Sequence, residues 1–141
     1  LKKLELKTEN IEEYYDFSFK LGVPQKNMNK LQNKLFGIEC NFEELNGIDY
    51  KKGCYIGQEN TSRIKLRNKL NKRLLPIEIL KGSLKEGSSI MLYDNEIGKV
   101  SINDKHNFAI IKIASKDFNF NNTYKSETAE IKILKPDWIN I

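Results

Sequence analysis

Cysteine, histidine and tryptophan are scarce in this chain: two Cys, one His and one Trp among 141 residues. Two cysteines do not make a disulfide scaffold. Two Cys and one His, far apart, do not spell a structural zinc site, and no metal ligand set is expected. No apolar run approaches the roughly 20 residues that a membrane span needs. P-loop, GxGxxG, HExxH and CxxC patterns are missing, as are internal repeats and low-complexity tracts. The chain opens at Leu1 with no initiator Met and no signal-peptide pattern, which reads as a fragment of something longer. What is present fits a folded chain of one domain or two small ones: 39% hydrophobic, 10% aromatic and 30% charged residues.

The charge is uneven. Of the 24 basic residues, 21 are Lys, a bias that an AT-rich genome produces without selection for polyanions. All three arginines (Arg63, Arg67, Arg73) nevertheless fall in residues 51–73, with Lys51, Lys52, Lys65, Lys69 and Lys72 and a single acid, Glu59. The remainder is slightly acidic. Arg binds carboxylate and phosphate bidentately, as Lys does not, so the segment reads either as a solvated helix face or as an anion site.

Residues 10–21 read as an amphipathic helix. Asn10 is the N-cap, with Glu13 three residues later, and Gly22 and Pro24 stop it. Residues 25–37 read as a short helix or a polar excursion. Residues 47–59, GIDYKKGCYIGQE, carry glycines around a Cys and read as a shaped loop. A helix is expected from about Gln58 to Asn68. Beyond Pro76 come short β-rich runs: Leu74–Leu80, Ser89–Tyr93, Ile97–Ile102, Phe108–Ala114 and Ala129–Leu134. Polar turns separate them, the pattern of an antiparallel sandwich or small barrel. The boundary falls near residues 70–76, giving 1–72 and 73–141.

Chemistry concentrates in Lys52-Gly53-Cys54-Tyr55-Ile56-Gly57-Gln58-Glu59. Cys54, beside Lys51 and Lys52 and near a helix N-terminus, has surroundings that favour a thiolate, although a lone Cys is more commonly a small buried hydrophobe. Cys40 has no such setting. His106, in the polar turn 103–107, reads as a solvated loop residue.

KGCYIGQE is identical to the signature of the YgfZ/Iba57 family, relatives of the glycine-cleavage T-protein, an aminomethyltransferase. Leu21-Gly22-Val23-Pro24 resembles that family's G-[IV]-P step and Glu39-Cys40-Asn41 its E-x-N. Leu45, Gly47-Ile48 and Tyr50 resemble its approach to the signature, and Ser62-Arg63 and Arg73-Leu74 its A-R and R-L. Two positions depart: Ser18 stands where many members have Arg, and Gly37 where many have Pro.

The resemblance implies an α+β architecture, the C-terminal end of a ferredoxin-like folate-binding region followed by a small antiparallel β-barrel. The implied cofactor is tetrahydrofolate. Glu39 would hold the pterin, since a carboxylate accepts paired N–H bonds from an aminopyrimidinone edge. Asn41, Tyr55, Gln58 and Arg63 would be further folate contacts, and Cys54 and Lys52 the reactive pair. The implied function is that of a folate-binding accessory protein, not a classical enzyme, supporting iron–sulfur cluster assembly or repair and thereby tRNA-modifying cluster enzymes. Its partners would be iron–sulfur assembly proteins or client enzymes. Its location would be cytoplasmic in a bacterium and the mitochondrial matrix in a eukaryote. Two alternatives stand beside it: a tetrahydrofolate-dependent aminomethyltransferase working by substrate positioning, and an RNA-binding module using the basic 51–73 segment.

Overall fold

The computed structural model describes residues 10–53, 58–66 and 70–139, with residues 58–60 described for the backbone alone. Helix α1 spans Ile11–Lys20. The Asn10 carboxamide caps it by accepting from the Glu12 N–H at 3.1 Å, which satisfies one of the first-turn donors left open in any helix. At the other end, Gly22 N–H bonds the Phe19 carbonyl and Val23 N–H the Ser18 carbonyl, each at 2.9 Å. This pattern requires a left-handed residue, and Gly22 supplies it at φ 71°. A side chain there would also meet Pro136, whose Cγ lies 2.8 Å from the place a Cβ would take. The excursion after α1 contains one 3-10 turn, Met28–Leu31. Residues 36–47 wind through tight turns with left-handed Asn41 and Asn46. Helix α2 covers Gln58–Leu66.

The rest is a closed six-stranded antiparallel barrel. Its strands are β1 (Arg73–Lys81), β2 (Ser89–Leu92), β3 (Asn95–Ile102), β4 (Asn107–Ile111), β5 (Thr123–Ser126) and β6 (Ala129–Ile133). Their order round the wall is β1-β4-β3-β2-β5-β6. The α+β class and the barrel are as the sequence predicts. The described part before residue 73 holds two helices and a 3-10 turn but no strand. β5 is an element the sequence does not announce.

Alternation sorts the side chains. Leu75, Ile77, Ile90, Ile97, Val100, Ala109, Ile111, Tyr124, Ile131 and Ile133 fill the interior. Leu74, Ile102 and Phe108 form a second cluster with Leu31, against which Phe19, Leu35, Cys40 and Ile110 pack. Thus β1 and β4 are buried on both faces at their paired ends, which explains why RLLPI and NFAII read as continuous apolar runs. Removing these side chains from water supplies the main driving force for joining the N-terminal segment to the barrel.

Pro76 lies inside β1, opposite Phe108. Its carbonyl accepts from Leu134 N–H at 2.9 Å, just past the end of β6. The donor that proline lacks would point to that same side, so the ladder loses a bond only at its margin.

Candidate functional site

The first sequence-predicted residues to meet are Glu39 and Asn41, on the wound turn 36–47 where it docks against β1. The Glu39 backbone carbonyl accepts from Leu74 N–H at 2.9 Å. Its buried carboxylate accepts from Phe36 N–H at 2.9 Å through one oxygen, and the other lies 3.5 Å from the Lys72 ammonium. Asn41, fully buried with φ 65°, donates from Nδ2 to the Leu74 carbonyl at 2.8 Å. Its Oδ1 accepts from Arg73 Nη1 at 2.9 Å. Arg73 Nη2 pairs with Glu44 Oε1 at 2.5 Å. Arg73 Nε and Glu44 Oε2 are buried without a hydrogen-bond partner among the described residues.

These three side chains form a charge-assisted network that is mostly removed from water, where such bonds are strongest and hardest to break without cost. Arg73, the last arginine of the basic segment, is therefore neither on a solvated face nor open to an external anion: it binds a carboxylate of the chain itself and ties the turn to the barrel. Lys65 is likewise engaged, in an ion pair with Glu43 and 3.8 Å above the Tyr50 ring centroid. Tyr50 O–H in turn donates to Glu43 at 3.1 Å.

Lys52 and Arg63 are both exposed, Lys52 at the first position of the signature and Arg63 on α2. Lys51 N–H bonds the Asp49 carboxylate at 2.8 Å, which folds the start of that loop into a turn. Gln58 begins α2, and its side chain lies outside the description. Cys54 and Tyr55 lie outside the described residues altogether. The structure therefore brings Glu39 and Asn41 together and sets no geometry for the signature Cys.

Cys40 sits one residue from Glu39 at the edge of an apolar cavity of about 220 Å³ lined also by Val23, Pro24, Met28, Leu31 and Phe42. Burial and, second, the Glu39 charge push its thiol up to about 11. It therefore rests protonated and inert at neutral pH, in keeping with its unremarkable sequence setting. Among the described residues, no group of three or more His, Cys, Asp or Glu is placed to hold a metal ion. No helix among them is long and apolar enough to cross a membrane.

His106 corrects the solvated-loop expectation. Its side chain is 12% exposed, with Nε2 2.7 Å from Asp16 Oδ1 on α1 and its ring 5.1 Å from the Phe19 ring. The turn 103–107 is polar, but it folds against α1, and no local pattern reveals a partner 90 residues away.

No family model matches the chain. Among curated proteins it is similar to the iron–sulfur cluster assembly factor IBA57 homolog, mitochondrial, of Dictyostelium discoideum, 37% identical over 97 residues covering 69% of this chain and 22% of that protein. The Neurospora crassa homolog of the same name is 41% identical over 63 residues, covering 45% of this chain and 14% of that protein. The Mus musculus protein, iron–sulfur cluster assembly factor IBA57, mitochondrial, is 30% identical over 70 residues, covering 50% and 20%. The chain thus spans about a fifth or less of the length of these relatives. Similarity that recurs in an amoeba, a fungus and a mammal agrees with the signature: the chain belongs to the IBA57 family.

Proposed function

We propose that this chain is part of a folate-binding accessory protein that supports iron–sulfur cluster assembly and, through cluster enzymes, tRNA modification. The observation that carries the reading is the KGCYIGQE signature in a chain whose relatives bear the name iron–sulfur cluster assembly factor. Those relatives are also named mitochondrial, and a mitochondrial location is part of the proposal. Its partners are iron–sulfur assembly proteins or client cluster enzymes.

Tetrahydrofolate is the proposed ligand and Glu39 its acceptor residue. A carboxylate has about four lone-pair sites, and one bond from Phe36 and the contact with Lys72 leave capacity for N–H donors of a pterin edge. Asn41, Tyr55, Gln58 and Arg63 are its further proposed contacts. Cys54 is the proposed working thiol, with Lys52 beside it to favour the thiolate. Folate, when bound, supplies a one-carbon carrier and reductant; the residues of this chain bind and orient it. An expected ferredoxin-like setting for residues before 73 belongs to the same proposal.

The test is calorimetric titration of tetrahydrofolate into the intact protein, with Glu39→Gln as control because it keeps an acceptor for Phe36 while removing the charge. Binding that weakens roughly tenfold in the variant, the loss of one charge-assisted pair, is expected. No binding by the intact protein removes the folate part. Separately, Cys54→Ser should fail to restore cluster-enzyme activity in cells lacking the protein; full rescue removes the Cys54 role.

A further inference from the structure

The junction between α1 and the barrel is built from charge. From α1, Glu12 and Asp16 face the β3–β4 turn, and Tyr15 lies between them. From the turn come Asp104, Lys105 and His106, and from the chain after α1 comes Lys26. Lys105 Nζ bridges Glu12 at 3.2 Å and Asp16 at 2.9 Å. Lys26 Nζ pairs with Glu12 at 2.9 Å and sits 4.1 Å over the Tyr15 ring centroid. Asp104 accepts from the Asn27 carboxamide at 2.8 Å. The nearby Lys30 is matched by Glu86 at 2.5 Å. Three carboxylates (Glu12, Asp16, Asp104) therefore face two ammonium groups (Lys26, Lys105), leaving one negative charge until the His106 imidazole is protonated.

That imidazole is the best-placed titratable group in the cluster. It is nearly buried and 2.7 Å from Asp16 Oδ1. Its ring leans on Phe19, which meets Phe108 edge-on at 5.5 Å. Phe108 belongs to the second core cluster, so the ring links the ionic cluster to the packing that seats α1. The cavity beside it, lined by Tyr15, Phe19, Lys26, Asp104 and Phe108 among others, measures about 10 Å³, about the space of one water. There is little room for solvent to replace a lost contact. Asp16 remains a carboxylate across the working range, because Lys105 and then His106 hold it below its usual value.

We propose that this junction is a proton-linked latch: protonation of His106 neutralises the cluster and tightens α1 on the barrel, and deprotonation loosens it. Among side chains, histidine is the one that commonly gains or loses a proton near neutral pH. The opposite face of α1 presents Ile11, Tyr14 and Phe17 to solvent, so loosening α1 also changes how that apolar stripe is held.

Amide hydrogen exchange on the intact protein tests the latch. After correction for intrinsic exchange, protection of the α1 amides relative to those of β4 should fall about fivefold from pH 6 to pH 8, the scale of one partly exposed ion pair. His106→Gln keeps a donor to Asp16 without titrating, and should hold α1 at the pH 8 level throughout; Asp16→Asn, which removes the charge that His106 answers, should abolish the fall in protection between pH 6 and pH 8. A flat wild-type profile, or a His106→Gln profile with the wild-type slope, overturns the proposal. If the variants fail to fold, the wild-type protein still decides by NMR: His106, Asp16 and Phe19 resonances must titrate together, and independent titration overturns it. Neither readout depends on folate or on cluster chemistry.

Discussion

Asn41 shows how one residue joins backbone and side-chain roles. Its left-handed φ of 65° is a conformation that asparagine adopts at lower cost than most residues, and its buried carboxamide bonds Leu74 and Arg73 at once. Asn41→Ala removes both bonds and places a Cβ-bearing, non-capping residue in a left-handed turn. It should cost about 2–4 kcal/mol, since the Leu74 carbonyl and the Arg73 guanidinium are then left short of partners in the interior. Asn41→Gly loses the same bonds but not the backbone compatibility, so it should be milder by about 1 kcal/mol. Urea unfolding of the two variants measures the difference; equal losses would mean that the turn geometry contributes nothing. The sequence marks Asn41 through a resemblance, as part of an E-x-N step. What it withholds is the internal network, because Arg73 and Leu74 lie more than thirty positions away and nothing in either segment states that they meet. Cys40 is legible only as a cysteine without an activating setting; the burial that chiefly keeps its thiol protonated, with the Glu39 charge second, comes largely from residues distant in the chain, such as Leu31, Leu74 and Phe108.

At the scale of elements, α1 and the barrel strands respond differently to acid. Glu12 is held below its usual value by Lys26 first and then Lys105. Asp16 is held down by Lys105 and then His106, and Asp104 by the Lys105 backbone and then Asn27. All three belong to the α1 junction. On the barrel wall, Glu96 is similarly depressed, by Lys112 and then Ser89. A carboxyl whose folded value is lowered contributes stability that is present above its unfolded value and is lost as pH falls through the folded one. For these groups that loss begins near pH 4.5 and deepens below 3.8, their ordinary values. Because the junction carries three of them, α1 should detach at a higher pH than the barrel unfolds. Trp138, the single tryptophan, donates to the Leu21 carbonyl at 2.8 Å and reports the event. Its fluorescence should change in an acid titration before the β signal does in circular dichroism. Coincident changes would rule out a separately held α1. The helix itself was plain in the sequence, from Asn10 to Gly22, because cap, stop and periodicity agree. β5 was not, because Thr123-Tyr124-Lys125-Ser126 holds one apolar side chain and no alternation to count. It is a strand because Tyr124 is buried in the barrel core with its hydroxyl donating to the Asn119 carbonyl at 2.7 Å.

For the molecule as a whole, the question is whether the barrel stands apart from the segment before it. The sequence places a boundary near residues 70–76, where texture changes from helical and polar to short and β-rich. The packing runs through that position: Leu74 and Phe108 turn outward from β1 and β4 into a cluster with Leu31 and Phe19, while their neighbours Leu75 and Ala109 turn inward. A barrel stripped of residues 10–47 would present that outer apolar patch to water. The two parts should therefore unfold together near pH 6.5, with Trp138 fluorescence and far-ultraviolet circular dichroism tracing one transition in urea. Phe108→Ala tests the coupling, because it deletes the ring that touches Phe19 on one side and anchors β4 on the other. It should cost about 3–5 kcal/mol and separate the two signals, the Trp138 change moving to lower urea than the β signal. Ile131→Val in the barrel interior is the contrasting variant. It trims one methyl at about 0.5–1.5 kcal/mol from a residue that takes no part in the outer cluster, so both signals should shift together. If Phe108→Ala also left them coincident, the outer cluster would be packing that follows the barrel and not the joint that couples the two parts.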